Sequence, residues 1–406
     1  MTMPTSAASL APFAAITSAL PLGGSTTFLL NLARVLQESG LRLPVIALSE
    51  VHELHAEFAA AGAEVHLIPT SSRIYEDRLA EACRKLAEWQ PRGVLACLGS
   101  PSFEILRLAP PGTARVGIIQ SHDPGPYALA KQYGPWIDAM VGVSEEICTT
   151  LRAAPEFQDS QVAYIPYGIQ FSSLANRLPR PEQAPLRVAY LGRLVEEQKR
   201  VSRFVPLMKL LRERGVAVDF TLAGTGPDEA ALRAAFQGVE GVHFKGALRN
   251  QDVPDFFAAQ DVFILLSDFE GLPLALLEAM GAGTVPVVPD LESGMREAVP
   301  EACGIRVPVG DVDAAAAAIM RLAENPEELE RMSESALAHA RSMFTAQRMA
   351  ADFTALFQRL SGTKPAAWAK SPQIPVPLGV KPGWLFREPV RSLRRWRKSL
   401  AGATRR

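Results

Sequence analysis

The chain has 406 residues, 48% of them hydrophobic and 21% charged, which indicates a globular protein of one to three domains. Its net charge is -1, yet residues 361–406 hold eleven Lys or Arg and a single acid, Glu388, so the preceding part carries -11. This balance argues against nucleic-acid binding by residues 1–360.

The four cysteines occur singly, with no CxxC pair and no zinc-ligand spacing. We therefore expect buried reduced thiols, a reducing compartment and a cytoplasmic location. No apolar run reaches 18 residues, so no helix is expected to span a membrane. Residues 10–20 read as a first strand leading into a glycine turn, rather than as a signal peptide.

Strand-like and helix-like segments alternate through the first half of the chain. The pattern predicts strands at 13–17, 44–47, 64–68, 93–98, 116–120, 139–143 and 162–165. Helical patterns such as 26–38 and 75–89 lie between most of them. This alternation predicts a doubly wound parallel sheet in a first domain, residues 1–175.

Residues 176–185 contain three prolines and read as a linker, after which the alternation begins again. The second series of predicted strands is 187–191, 218–223, 242–244, 262–266, 285–288 and 305–307. Residues 311–360 read as helical, with breaks at 325–326 and 342–345. The predicted fold is thus α/β, with two Rossmann-like domains; the second comprises residues 186–343.

The tail, residues 362–406, is rich in proline at its start and basic throughout. A short amphipathic helix is predicted from Pro389, with apolar residues on one face and basic residues mostly on the other. Two interpretations stay open. One is peripheral contact of 384–400 with an anionic membrane surface, and the other is a solvated basic extension.

Residues 267–283 form the most informative segment. Glu270 should follow a strand, Pro273 suits the first position of a helix, and Glu278 should lie inside that helix. Ligands of open α/β sheets bind at this edge, where Gly271 permits close approach and helix N–H groups favour an anion. Two carboxylates there suit hydroxyl groups as well. A ligand with both phosphate and hydroxyls, such as a nucleotide-sugar, fits.

Two further segments have the chemistry of phosphate binding. Gly23-Gly24 follows the first strand and opens a helix, which is typical either of a phosphate cradle or of a simple turn with Ser25 as N-cap. Arg193 and Lys199 follow strand 187–191, where they could hold a diphosphate or simply lie in a solvated loop.

Gly224, Thr225 and Gly226 end the next strand, where they could approach a nucleotide or form a turn with Pro227 at the first helical position. His122 is the histidine at a predicted ligand edge, although a lone histidine is more often structural.

Two other interpretations of acidic residues are weaker. Asp311-Val312-Asp313 resembles a metal-binding DxD, yet it precedes a helix and suits capping, so no metal site is expected. Glu270 and Glu278 could form the carboxylate pair of a glycosidase, but basic neighbours are unusual for a neutral glycan.

These motifs together resemble the retaining glycosyltransferases of family 4, which have the GT-B fold and are related to glycogen and sucrose synthases. The resemblance is strongest over 186–310, through Gly-Arg-Leu with Lys199, Ala-Gly-Thr-Gly-Pro and the two-glutamate segment. It is weak over 1–175 and absent from 362–406. Ser25-Thr26-Thr27 and Tyr167 depart from the family pattern, which leaves the sugar and acceptor open.

The resemblance implies a role for each of these residues across a central cleft between the domains. Arg193 and Lys199 would hold the diphosphate, which Gly24 approaches from the first domain. Glu278 would bind the ribose. Glu270, Gly271 and Leu272 would contact the transferred sugar, and His122 would lie near the reaction centre. Gly224, Thr225 and Gly226 complete the expected donor-binding set.

The resemblance also implies a helix at 344–361 that crosses back to the first domain, and transfer with retention that needs no cofactor or metal. The donor would be a nucleoside-diphosphate sugar, and the acceptor a glycan or lipid-linked molecule. Two alternatives stay open: a non-transferring relative such as a nucleotide-sugar epimerase, and a silent sugar-nucleotide-binding protein.

Overall fold

The structure, a computed structural model, describes residues 9–49, 51–69, 75–97, 99–122, 124–171, 177–181, 184–361 and 367–368. Two parallel sheets organise it. A minor pair is formed by β1 (Ser9–Leu10) and β3 (Leu41–Arg42). The first large sheet contains β2 (Phe13–Thr17), β4 (Pro44–Ala47), β5 (Glu64–Leu67), β6 (Gly93–Ala96), β7 (Ala114–Ile119), β8 (Ala139–Gly142) and β9 (Val162–Tyr164).

The order of the first sheet is β5-β4-β2-β6-β7-β8-β9, and all of its pairs are parallel. Most of these strands are buried runs, as expected of parallel strands covered by helices on both faces. The covering helices are α1 (Gly24–Glu38), α2 (His55–Ala60), α3 (Tyr75–Trp89), α4 (Ser100–Leu108), α5 (Pro124–Tyr133) and α6 (Glu145–Arg152).

The second sheet repeats the same winding in the order β12-β11-β10-β13-β14-β15. Its strands are β10 (Leu186–Leu191), β11 (Val218–Ala223), β12 (Val242–Gly246), β13 (Val262–Ile264), β14 (Val285–Pro289) and β15 (Ile305–Val307). Its helices are α7 (Glu196–Lys199), α8 (Phe204–Glu213), α9 (Glu229–Ala235), α10 (Val253–Ala258), α11 (Leu274–Gly281), α12 (Gly294–Ala298), α13 (Val312–Glu324) and α14 (Pro326–Met343).

The last described helix, α15 (Ala346–Leu360), packs on the first sheet rather than the second. The ring of Phe357 stacks on Phe13 of β2, with centroids 4.3 Å apart and planes 8° from parallel. Backbone bonds join Ile169 to both Phe344 and Ala346 just before this helix. The chain therefore returns to its starting sheet after completing the second one.

The structure confirms the predicted α/β fold with two doubly wound sheets. Every predicted strand is present, and 13–17, 44–47, 218–223 and 305–307 have the predicted bounds. The pair β1 and β3 was missed because two residues are too short to show a period. The exact domain limits stay predictions. The predictions for the tail beyond residue 368, including 384–400, lie outside the described residues.

Three predicted helix starts are wrong by one or two positions. Ser25 is not an N-cap, because α1 begins at Gly24 with Gly23 as its cap, at φ 155°. Pro273 is the N-cap of α11 rather than its first residue. Pro227 lies before Asp228, which caps α9.

All four cysteines are buried free thiols, and burial raises the pKa of the Cys83 thiol to about 12. Within the part of the chain that the structure describes, no helix is both long and apolar enough to cross a bilayer.

A buried carboxylate fastens the linker to the second domain. Asp261 is fully buried before β13, and its oxygens accept from Arg177 at 2.8 Å and from Arg187 at 2.8 and 3.0 Å. Arg180 lies 3.4 Å away. Burial alone would raise the pKa of Asp261, but the arginine hydrogen bonds and charges lower it. Linker and sheet thus share one ionic cluster.

Replacing Asp261 with asparagine is expected to lower the free energy of unfolding by about 3–5 kcal/mol, because three arginines lose their buried counter-charge. Chemical denaturation measures the change. Asp313→Asn is the matched control, since its pair with Arg214 is 72% exposed on the aspartate side and should contribute less than about 1 kcal/mol. Equal effects of the two variants would contradict a structural role for the cluster.

Candidate functional site

The candidate site lies where the strand order of each sheet reverses. In the second sheet this point is between β10 and β13, and in the first it is between β2 and β6. Loops that leave the carboxyl ends of such strands diverge and leave a crevice for a ligand. Arg193 and Lys199 follow β10, Glu270 follows β13, and Gly24 follows β2. All four therefore belong to this edge.

The two edges face each other at close range. A Cβ on Gly24, at the start of α1, would lie 3.4 Å from the Cβ of Leu274, which begins α11. A Cβ on Gly271 would lie 2.5 Å from the carbonyl oxygen of Gln120, at the end of β7. Glycine at position 271 therefore permits the first domain to approach the loop that holds Glu270.

Lys199 and Glu270 form the centre of the site. Lys199 Nζ lies 2.5 Å from Glu270 Oε1, and both side chains are largely buried, with exposures of 14% and 6%. A buried pair of this kind is held by its own attraction and by further hydrogen bonds. It places one positive and one negative group side by side at the switch point.

Gln198 joins this pair to Arg193. Its amide nitrogen donates to the Phe269 carbonyl at 3.1 Å and lies 3.4 Å from Glu270 Oε2. Its carbonyl oxygen accepts from Arg193 at 3.1 Å. Arg193 is exposed, and its backbone carbonyl accepts from the Tyr190 hydroxyl at 2.7 Å. The structure therefore brings Arg193, Lys199 and Glu270 into one network.

A second ionic contact fixes the two loops to each other. Asp268 accepts from Arg200 Nε at 2.5 Å and lies 2.6 Å from Arg203, while its backbone N–H donates to Gln198. Burial would raise the pKa of Asp268, but the hydrogen bonds from both arginines lower it. The loops that carry Lys199 and Glu270 are held rigidly together.

Glu278 lies apart from that pair, on α11, in a small cavity between the domains. The first domain contributes Thr27, Asn31 and Arg34 to this cavity, and the second contributes Asn250. Burial raises the pKa of Glu278 to about 8, while the charge of Arg34 opposes the shift. Burial also lowers the pKa of Arg34. Glu278 is thus a half-buried carboxyl group that is faced by a first-domain cation.

Gly224 and Gly226 pack closely against the backbone of the loop that carries Arg193. A Cβ on either would collide with a backbone carbonyl, that of Gly192 for Gly224 and that of Leu194 for Gly226. Thr225 is exposed and accepts from the Leu194 N–H at 2.9 Å. The structure thus gives these residues a packing role beside the site, and their contact with a donor stays a prediction.

His122 lies at the facing edge, two residues beyond Gln120. Its Nδ1 is 2.7 Å from the Tyr127 hydroxyl, and the two rings are perpendicular with centroids 5.6 Å apart. Because Ser121 and Gln120 contact the Gly271 position, His122 borders the loop of Glu270. Leu272, the other predicted sugar contact, is buried in that loop.

The short helix α12 connects the site to the first domain. At its start, the Gly294 N–H donates to the Gly271 carbonyl at 3.0 Å. Near its end, Glu297 accepts from the Glu145 N–H at 2.7 Å and from the Tyr164 hydroxyl at 2.9 Å. Burial raises the pKa of Glu297. This five-residue helix therefore connects the predicted donor loop to the first domain.

The DxD-like segment serves as a cap. Asp311 accepts from the Ala314 N–H at 2.8 Å at the start of α13, as expected of an N-cap. Among the residues that the structure describes, no group of three His, Cys, Asp or Glu side chains could hold a metal ion.

Sequence reasoning missed several residues of the site. For Gln198 the available signal was its position between Arg193 and Lys199 in the sequence. Arg34, Tyr127 and Glu297 gave no signal, because each meets its partner through the arrangement of whole elements.

Solved structures of other proteins share this fold. Sucrose-phosphate synthase from Thermosynechococcus elongatus superimposes with a TM-score of 0.69 at 19% identity, covering 86% of this chain and 98% of that one. Anabaena Alr3699/HepE, in complex with UDP and glucose, gives 0.71 at 16% identity over 87% of this chain and 100% of that one. The fold is the GT-B fold of glycosyltransferases.

Sequence comparison points to the same class of enzyme. The model of the family "Glycosyl transferases group 1" matches residues 185–325, which contain the whole second sheet from β10 to β15. The phosphatidyl-myo-inositol mannosyltransferase of Mycolicibacterium smegmatis is 26% identical, over 75% of this chain and 82% of its own length. A putative colanic acid biosynthesis glycosyltransferase of Escherichia coli is 32% identical over 45% of this chain and 48% of its length.

Proposed function

We propose that the protein transfers a hexose from a nucleoside-diphosphate sugar to a hydroxyl group of a glycan or lipid-linked acceptor, with retention at the anomeric carbon. The observation that carries the proposal is the Lys199–Glu270 pair at the switch point, joined through Gln198 to Arg193. It supplies cations for a diphosphate and a carboxylate for sugar hydroxyls within one rigid network.

The diphosphate is bound from both sides of the cleft. Arg193 offers a planar fork and Lys199 a compact charge, and both suit phosphate oxygens. Gly24 brings the amino end of α1, where unpaired N–H groups favour an anion, toward the start of α11. As the bond to the leaving group breaks, negative charge grows on the diphosphate, and these preorganised groups stabilise it.

The two glutamates bind different parts of the donor. Glu278, in its interdomain cavity, accepts hydrogen bonds from the ribose hydroxyls. Glu270 and the adjoining Gly271 and Leu272 contact the hexose, with His122 across the cleft. The approach of the two domains excludes water, which would otherwise hydrolyse the donor.

The first domain binds the acceptor in this proposal. The names of two relatives refer to a lipid and to a polysaccharide. They are a phosphatidyl-myo-inositol mannosyltransferase and an amylovoran biosynthesis glycosyltransferase of Erwinia amylovora. We place the enzyme in the cytoplasm because its thiols are free, and we propose no metal.

Contact of residues 384–400 with a membrane predicts that deleting 362–406 abolishes binding to anionic vesicles. Unchanged binding would refute this contact.

Thermal unfolding with nucleoside diphosphates and their sugars tests the donor site, because a ligand of the native state raises the midpoint. Each stabilising donor is then incubated with and without lipid-linked and glycan acceptors. A transfer product, with the anomer determined by NMR, supports the proposal. An isomerised donor would instead support an epimerase, and stabilisation without turnover a silent binding protein.

A further inference from the structure

Tyr127 makes the one side-chain hydrogen bond to the His122 ring that the structure shows within the described residues. Its hydroxyl oxygen is 2.7 Å from His122 Nδ1, which is a normal length for this bond. The two rings are perpendicular, with centroids 5.6 Å apart. Tyr127 lies in the first turn of α5, so its position is set by the helix that follows the loop of His122.

The chemistry of the two groups fixes the direction of this bond. A phenol hydroxyl is a far better proton donor than the N–H of a neutral imidazole, whose other nitrogen is a good acceptor. Donation from Tyr127 to Nδ1 is therefore favoured. The proton of neutral His122 then resides on Nε2, since each neutral ring carries one N–H and one bare nitrogen.

The position of His122 indicates a role for its Nε2–H group. The backbone just before His122 contacts the Gly271 position, and Gly271 adjoins Glu270. Oxygen atoms of a donor held by Glu270 and Lys199 would therefore face His122 across the cleft. An Nε2–H there can donate to such an oxygen, whereas a bare Nε2 could only accept.

We propose that Tyr127 is a positioning residue that holds His122 as its Nε2–H tautomer, so that His122 donates a hydrogen bond to an oxygen of the bound donor. The inference rests on the proposed function, which supplies the donor. His122 then acts as a donor throughout turnover and not as the base that deprotonates the acceptor.

Nitrogen-15 NMR of histidine-labelled full-length protein tests the tautomer without any turnover. The His122 signal, assigned by its loss in His122→Ala, should report a protonated Nε2 and a bare Nδ1 in the neutral range. In Tyr127→Phe the two nitrogens should move toward the averaged values of a mixed population. A protonated Nδ1 in the unmodified protein would overturn the proposal, whatever the enzyme's activity.

Kinetics with the donor identified above provide the second test. Loss of one hydrogen bond predicts that Tyr127→Phe lowers kcat/KM about fivefold near pH 8. His122→Gln, which keeps an amide donor, should retain more activity than His122→Ala. Tyr133→Phe, at the other end of α5, controls for perturbation of the helix. A folded Tyr127→Phe protein with unchanged kcat/KM would contradict the inference.

Discussion

Replacing Lys199 with alanine is expected to lower kcat/KM for the nucleotide-sugar by about 10²–10³-fold. Under the proposed function, the change removes a preorganised cation from the leaving diphosphate. It also leaves the Glu270 carboxylate, only 5% exposed, without the partner 2.5 Å away. Initial rates over a range of donor concentrations measure the effect, and thermal unfolding of the same variant shows whether the fold persists.

Lys209→Ala is the matched control for this prediction, because Lys209 is 77% exposed on α8 and pairs only with exposed Glu213. Its rate should equal that of the unmodified protein. A double variant, Lys199→Ala with Glu270→Gln, tests the coupling, since two groups in contact should show non-additive losses. A folded Lys199→Ala protein with unchanged kcat/KM would remove Lys199 from the diphosphate site.

The stability of the ligand-free protein should fall between about pH 4.5 and pH 8 through Glu278. Its folded pKa is raised to about 8, above the ordinary value of 4.5, chiefly by burial. Within this window the native carboxyl keeps a proton that the unfolded chain has lost, so rising pH favours unfolding. The contribution of Glu278 should reach roughly 2–4 kcal/mol by pH 8 and remain constant above it.

Denaturant unfolding at a series of pH values compares the protein with Glu278→Gln, which should lack this component of the slope. Glu213→Gln, at an exposed position, is the control and should keep the full slope. Nucleoside-diphosphate binding offers a second measurement. If the ribose hydroxyls donate to an ionised Glu278, binding at pH 7 should release close to one proton, detectable by calorimetry in buffers of different ionisation enthalpy. Identical slopes and no proton release would show that Glu278 is already ionised in the free protein, and unchanged nucleoside-diphosphate affinity of Glu278→Gln would exclude it from the nucleoside site.

The sheet strands could be predicted from the sequence because each is a short apolar run bounded by turn residues, and burial on both faces demands such runs. The Glu270 loop could be found for a related reason: a strand, a glycine and a helix start mark the ligand edge of any open α/β sheet. The helix starts predicted from Ser25, Pro227 and Pro273 differ from the observed ones, because the cap depends on the path of the preceding loop.

Other contacts required the three-dimensional structure. Arg34 lies on α1, nearly 250 positions before Glu278, and the two meet only because the domains approach each other. Glu297 reaches Glu145 and Tyr164 for the same reason. A linear pattern shows which residues share a helix face or a strand edge, but it contains no signal for pairs that depend on the mutual orientation of two sheets.

The double attachment of α12 has a consequence for the catalytic cycle. One end of this helix accompanies Gly271 and the other is bonded to the opposite domain through Glu297. Separation of the domains must break the Glu297 bonds and, at the same time, displace the backbone of the loop predicted to contact the sugar. Release of the nucleoside diphosphate and opening of the cleft would then occur together. Weakening the Glu297 bonds would change the rate of product release rather than the rate of sugar transfer.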